Sequence, residues 1–324
     1  LLMQYFLGFD ELGFVELELF SCSVLYIFIF SLLTAAPFNS VLSKYMSDVI
    51  FEERYQDIRP CYYLGLFMNI GLSSLVGIPF CLWEHFVGKV DVFYVFTGYC
   101  GYIALVLVFY SMIYLSIAKD YQKISLFFLL GMVEAFLLSL FLRFVMDWGI
   151  RESMLFALMT GFFLTAFLEM ALVKRYFVKN SNRYKRVLGY FRKYWLLVVA
   201  NFFYVLGLYI HNFVFWNTDM KLVVVKTFVC NQPYDMATCL AMFTNISTTI
   251  IFISRVEMYF HDKYKRYSEA VIGGKGADID SAKREMFRQL SVELMNLVRI
   301  QFIITTIVYL VAVVVLPHLG ISSL

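Results

Sequence analysis

Four histidines and six cysteines are the residues in this 324-residue chain best suited to hold a metal or assist a nucleophile. Their spacing predicts neither role. His85, His211, His261 and His318 lie in different segments, and no Cys-x-x-Cys pair or Cys/His cluster has metal-ligand spacing. Cys22, Cys61, Cys81 and Cys100 fall in or beside apolar runs, where cysteine behaves as a small hydrophobe. Cys230 and Cys239 flank one end of a loop, so a disulfide between them stays open, subject to their Cα spacing. GGKGAD at 273–278 is a turn and not a phosphate loop, because Lys275 is followed by Gly276 where Ser or Thr is needed. Ser254 in TTIIFIS has no nucleophile elbow around it. These residues predict no enzyme, no cofactor and no metal.

Polar side chains set within apolar runs carry more information, because burying them in lipid is costly. Glu134 sits near the middle of one run, Glu169 near the end of another, and Arg143 is placed to reach Asp147 four residues on. Asn201, Tyr204, Leu208, His211 and Asn212 fall within an arc of roughly 100° on a helix. Thr238, Asn245 and Thr249 share a narrow face of a later run. Two readings compete: a water-accessible passage for a hydrophilic substrate, or ordinary hydrogen bonds between membrane helices. The expected lining of such a passage is Glu134, Asn201, Tyr204, His211, Asn245 and Thr249.

The elements that must position these residues follow from composition. The chain is 61% hydrophobic and 16% charged, with 35 Phe and 23 Tyr, and its mean hydropathy is +0.74. A soluble domain carries about 25% charged residues. A bilayer core takes about 20 mostly apolar residues as a helix. Eight stretches meet that length: 19–42, 62–83, 92–117, 124–146, 152–173, 195–216, 237–258 and 298–317. The expected fold is an all-α polytopic membrane protein of eight spans. Leu at residue 1 and the stop soon after an apolar segment predict a piece of a longer chain.

Orientation comes from the basic residues between spans. Segments 43–61, 118–123, 174–194 and 259–297 together hold 20 Lys and Arg, against 4 in the alternate segments. The first set is therefore expected on the cytoplasmic side. The loop 174–194 alone holds eight, which suits anionic lipid headgroups; nothing points to nucleic acid. Gly273 and Gly274 end one helix, and Asp278, Asp280 or Ser281 can cap the next. Ile279, Ala282, Met286, Leu290, Leu294 and Leu297 then recur every three or four residues. Segment 259–297 is thus predicted to be a cytoplasmic helical hairpin. Arg255, Glu257, Lys263 and Arg266 are its candidates for partner contact or gating.

Three stretches carry a resemblance: SLLTAAPFNSVLSKYMSD (31–48), YFRKYWLLVVANFFYVLGLYIHNFVFW (190–216) and MFTNISTTIIFISRVEMYFHDKYKRYSEAVIGGKGADIDSAKREMFRQL (242–290). Together they resemble the PelG family of inner-membrane exopolysaccharide exporters, itself similar to the multidrug/oligosaccharidyl-lipid/polysaccharide flippases. The resemblance implies a twelve-helix, two-bundle fold like that of multidrug-and-toxin extruders. On that plan, 1–173 is an N-terminal bundle lacking its first helix, 174–194 a cytoplasmic linker, and 195–324 a truncated C-terminal bundle. It implies transport of an amino-sugar polymer across the bacterial inner membrane, with a cytoplasmic glycosyltransferase and membrane-anchored partners. A flippase for lipid-linked oligosaccharide and a scaffold of a polysaccharide synthase are the alternatives.

Overall fold

The computed structural model describes residues 7, 12–118, 120–251 and 258–318, with side chains described except at 240, 243, 245–251, 258–262 and 315–318. Two compact units part between Cys230 and Asn231. The first holds helices α1 (Phe14–Phe51), α2 (Ile58–Phe86), α3 (Val92–Ile117), α4 (Tyr121–Phe144), α5 (Ile150–Tyr176), α6 (Tyr184–Lys193) and α7 (Trp195–Phe215). It closes with strands β1 (Leu222–Val224) and β2 (Phe228–Cys230). The second holds α8 (Gln232–Ile251), α9 (Met258–Gly273) and α10 (Gly276–His318).

Long apolar runs become helices because a segment in lipid must satisfy its backbone groups internally. Among the described residues seven helices are long and apolar enough to cross a membrane: α1, α2, α3, α4, α5, α7 and α10. The eighth expected span, 237–258, is covered by α8 as far as Ile251, and its residues 252–257 lie outside the described residues. The most apolar windows of α1 and α3 are each 61% buried, against 17% for α4 and 11% for α7. α1 and α3 therefore form the core of the first unit, while α4 and α7 turn most of their apolar surface outward. That surface suits lipid and would be a liability in water.

Close packing in this unit depends on small residues. Gly131 of α4 and Gly161 of α5 face each other so tightly that a methyl group on either would collide with the other's carbonyl. Such small-residue contacts let membrane helices approach without a hydrophobic driving force. Asp91 starts α3 by accepting from the backbone of Phe93 at 2.9 Å and Tyr94 at 3.4 Å. Asp120 starts α4, and the Lys123 ammonium and Tyr176 hydroxyl beside it hold its carboxyl below the usual carboxylate range.

The basic segment 174–194 is folded. Its helix α6 buries Val187 completely and sets Tyr190 edge-on against Tyr45, with ring centroids 4.8 Å apart. The Tyr190 hydroxyl donates to Asp48 at 3.2 Å, and Arg186 lies 3.9 Å from both Glu52 and Asp57. Arg54 completes this cluster with Asp57 at 2.6 Å, so part of the segment's positive charge is answered by carboxylates of α1 and the turn after it.

In the second unit α9 and α10 form a hairpin. Gly274 closes α9 by donating its N–H to the Ala270 carbonyl at 2.8 Å, and Asp278 reaches back to the Lys275 N–H at 3.1 Å. Lys263 of α9 pairs with Glu285 of α10 at 2.9 Å. Along α10, Ile279, Ala282, Met286, Leu290 and Leu297 lie on the more buried side, whereas Leu294 is exposed.

Candidate functional site

Glu84 ends α2, where unpaired carbonyls disfavour a negative charge. Even so, its side chain is only 2% exposed. The hairpin explains how it is held. The β1–β2 turn places Val225 at φ 50° and Lys226 at φ 67°, conformations rarely adopted by side-chain-bearing residues and least by a β-branched one. Pairing of Leu222 with Cys230, Val223 with Val229 and Val224 with Phe228 brings Thr227 over the end of α2. There the Thr227 hydroxyl donates to Glu84 Oε2 at 2.8 Å. Gly88 makes room for the contact: a methyl at that position would lie 2.6 Å from the Glu84 carbonyl and 2.9 Å from Thr227 Oγ1. Glu84 Oε1 is buried and has no hydrogen-bond partner among the described residues.

Glu84 forms part of the wall of a cavity of about 120 Å³ between α1, α2, α3 and β2. The rest of the wall is mainly aromatic. Tyr26 of α1 pins the hairpin, donating to the Val229 carbonyl at 2.8 Å and accepting from its N–H at 3.0 Å. The Tyr26 ring stacks on Trp216 at 4.9 Å and meets the edge of Phe228 at 5.0 Å. Phe80 of α2 packs edge-on against Phe228 at 5.6 Å. From α3, Tyr94 donates to Ser23 Oγ at 3.1 Å, Tyr99 bonds Ser74 at 2.8 Å and Tyr102 donates to Thr34 at 3.0 Å. Gly77 lets Tyr99 and Tyr102 approach α2, since a methyl there would meet both rings at 3.1–3.2 Å. The tyrosine hydroxyls are thus engaged by protein, and the rings line the space. Arg151 lies 4.9 Å from the Tyr94 ring centre, a cation–π contact.

Of the residues expected to line a passage, the described ones, Glu134, Asn201, Tyr204 and His211, do not border this cavity. Glu134 is half-buried on α4, its carboxyl meets the Thr160 hydroxyl of α5, and Oε2 has no partner among the described residues. Asn201 donates to the Ala36 carbonyl, beside Pro37 in α1, at 2.6 Å. Tyr204 is 66% exposed and His211 half-buried, so the polar arc of α7 divides between outward and inward positions. The side chains of Asn245 and Thr249, and all of Arg255 and Glu257, lie outside the described residues. Lys263 is taken up by Glu285, and Arg266 is exposed. Arg143 donates to the Trp148 carbonyl at 3.3 Å. All six cysteines are free thiols. Glu18, Cys22 and Cys230 gather within 4.8 Å of one another, a grouping the sequence spacing does not announce.

Glu84 and the β1–β2 hairpin carry little signal in the sequence. Glu84 reads as a loop residue next to His85. Segment 217–236 reads as a connection, although the β-branched run at 222–225 and the Thr-Phe-Val at 227–229 are strand signals. Glu169 stands out in the sequence as a carboxylate near the end of a span, but its burial does not. It is fully buried on α5, and among the described residues neither carboxyl oxygen has a hydrogen-bond partner.

A family model described as "PelG: Putative exopolysaccharide Exporter (EPS-E)" matches residues 1–324, the whole chain. No curated protein and no solved structure matches it.

Proposed function

Because the chain belongs to the PelG family of exopolysaccharide exporters, we propose that it passes an amino-sugar polymer of the Pel type across the bacterial inner membrane. A cytoplasmic glycosyltransferase makes the polymer, and membrane-anchored partners hold the two together. The whole-chain family match carries this reading, and seven apolar helices in a multi-pass arrangement agree with it. The fold in this reading is a two-bundle arrangement of twelve helices.

The charge distribution supports the orientation. Segments rich in Lys and Arg face the cytoplasm, which puts the α9–α10 hairpin and α6 where a synthase can dock. The β1–β2 hairpin and the Glu84 cavity then face the opposite side. Glu134, with an unpartnered oxygen on a spanning helix, is the carboxylate placed to meet polymer amines along the path.

The test is deletion of the gene in its host, with synthase level and nucleotide-sugar supply held constant, followed by measurement of secreted amino-sugar polymer. Loss of secretion, restored by wild type and not by a Glu134→Ala protein that still reaches the membrane, is the expected result. Unchanged secretion after deletion would refute the export reading. Restoration by Glu134→Ala would remove that residue from the path.

A further inference from the structure

Glu18, Cys22 and Cys230 meet where β2 packs on α1, with one donor atom of each within 4.8 Å of the others. The three residues are only 1%, 2% and 2% exposed. Export of a polymer makes no use of this group. Glu18 and Cys22 are four residues apart on α1, so they share a face one turn apart. The same spacing lets two histidines of a helix hold one zinc ion. The third donor comes from β2, and its place is fixed independently. Cys230 pairs with Leu222 in the ladder, and its neighbour Val229 is held to α1 by two hydrogen bonds with Tyr26, at 2.8 and 3.0 Å. On α1, Ser23 donates to the Leu19 carbonyl at 2.7 Å and accepts from Tyr94 at 3.1 Å, which braces the turn carrying the other two donors. Donors on rigid elements, steadied by a further layer of hydrogen bonds, are what a metal site requires.

Other uses of the cluster account for only part of it. Core packing suits two thiols but not a carboxylate, which is costly to bury among sulfur and hydrocarbon. A disulfide between Cys22 and Cys230 would not involve Glu18. A divalent ion uses all three groups. Two thiolates disfavour Mg²⁺ and Ca²⁺, which take oxygen, whereas two sulfurs and one carboxylate oxygen suit Zn²⁺. In a tetrahedral zinc site with bonds of about 2.0–2.3 Å, donors lie roughly 3.5–3.8 Å apart. A contraction of roughly 1 Å therefore closes the cluster, and each thiol gives up its proton as its bond to the ion forms. We propose that Glu18, Cys22 and Cys230 bind one Zn²⁺, with water completing the coordination, and that the ion clamps the β1–β2 hairpin to α1. The burial of all three donors keeps a substrate from the ion, so its role is structural.

The experiment is titration of the purified, reduced full-length protein in nanodiscs with Co²⁺, a spectroscopic stand-in for Zn²⁺, followed by displacement with Zn²⁺. No export is measured, so the result is independent of the polymer reading. One Co²⁺ per chain is expected, with thiolate-to-cobalt charge-transfer absorption that one equivalent of Zn²⁺ abolishes. Cys22→Ser and Cys230→Ser should each remove about half of that absorption and weaken binding by about tenfold or more. Glu18→Gln should keep the absorption and weaken binding by about tenfold or more; it retains both thiols and carries the test if a cysteine variant fails to fold. Cys81→Ser, outside the cluster, should bind as wild type does. Zn²⁺ should also slow proteolysis at the β1–β2 turn of wild type but not of Cys230→Ser. Absence of cobalt–thiolate absorption, or affinity unchanged in all three cluster variants, would overturn the site. So would a Cys22–Cys230 disulfide in protein isolated without reductant. Metal binding with no change in proteolysis would overturn the clamp.

Discussion

Glu84 owes its placement to Thr227, and that contact owes its clearance to Gly88, which has no room for a methyl group. Gly88→Ala is therefore expected to break the Thr227–Glu84 hydrogen bond. The cost should be about 1–3 kcal/mol, the range for leaving a buried polar group unsatisfied. Limited proteolysis at the β1–β2 turn, compared with wild type, checks this; unchanged resistance would mean that the hairpin is held by Tyr26 alone. Asn201 gives the opposite lesson. As a polar residue in an apolar run it suggests a passage, yet its amide is bonded to the Ala36 carbonyl. Asn201→Ala should lower thermal stability by roughly 0.6–1.7 kcal/mol, the range for hydrogen bonds between membrane helices. Thermal unfolding in detergent measures the change, and an unaltered transition would return Asn201 to the passage.

Elements differ in what holds them. α1 and α3 are packed by neighbours on most sides, and α4 meets α5 through the Gly131–Gly161 contact. The α9–α10 hairpin depends instead on its turn and on the stripe around Met286, with the Lys263–Glu285 pair at its surface. Exposed pairs of this kind contribute about 1 kcal/mol or less. Exchanging the two charges, Lys263→Glu with Glu285→Lys, should leave stability within about 0.5 kcal/mol of wild type. If the hairpin docks a synthase, the same exchange should reduce co-purification of that enzyme. Chemical denaturation and pull-down measure the two effects separately. A large loss of stability would mean that the pair is part of a wider network, and intact co-purification would place docking elsewhere.

For the molecule as a whole, orientation is the decisive expectation. Asn180, in the basic segment, and Lys226, at the tip of the hairpin, are both exposed and belong to segments assigned to opposite sides. In a background lacking the natural cysteines, Asn180→Cys should react with a membrane-impermeant maleimide only after the cells are opened. Lys226→Cys should react in spheroplasts that remain sealed. The reverse pattern would invert the topology, and with it the side on which the Glu84 cavity lies.

Seven of the eight expected spans and the glycine turn of the α9–α10 hairpin are readable from sequence because each depends on a continuous stretch: enough apolar length, and a helix stop followed by a capping carboxylate. The side assigned to each loop is equally local, since it follows from counting Lys and Arg. Contacts between helices are different. The runs are apolar on nearly every face, so periodicity does not show which residues turn inward, and a lone polar residue looks the same in a passage and in a helix–helix hydrogen bond. Tyr26, Glu84, Tyr99 and Phe228 come from α1, α2, α3 and β2, and only packing brings them to one cavity. Tertiary structure alone also decided which carboxylate oxygen was left without a partner, because that depends on where a threonine 143 positions away comes to rest.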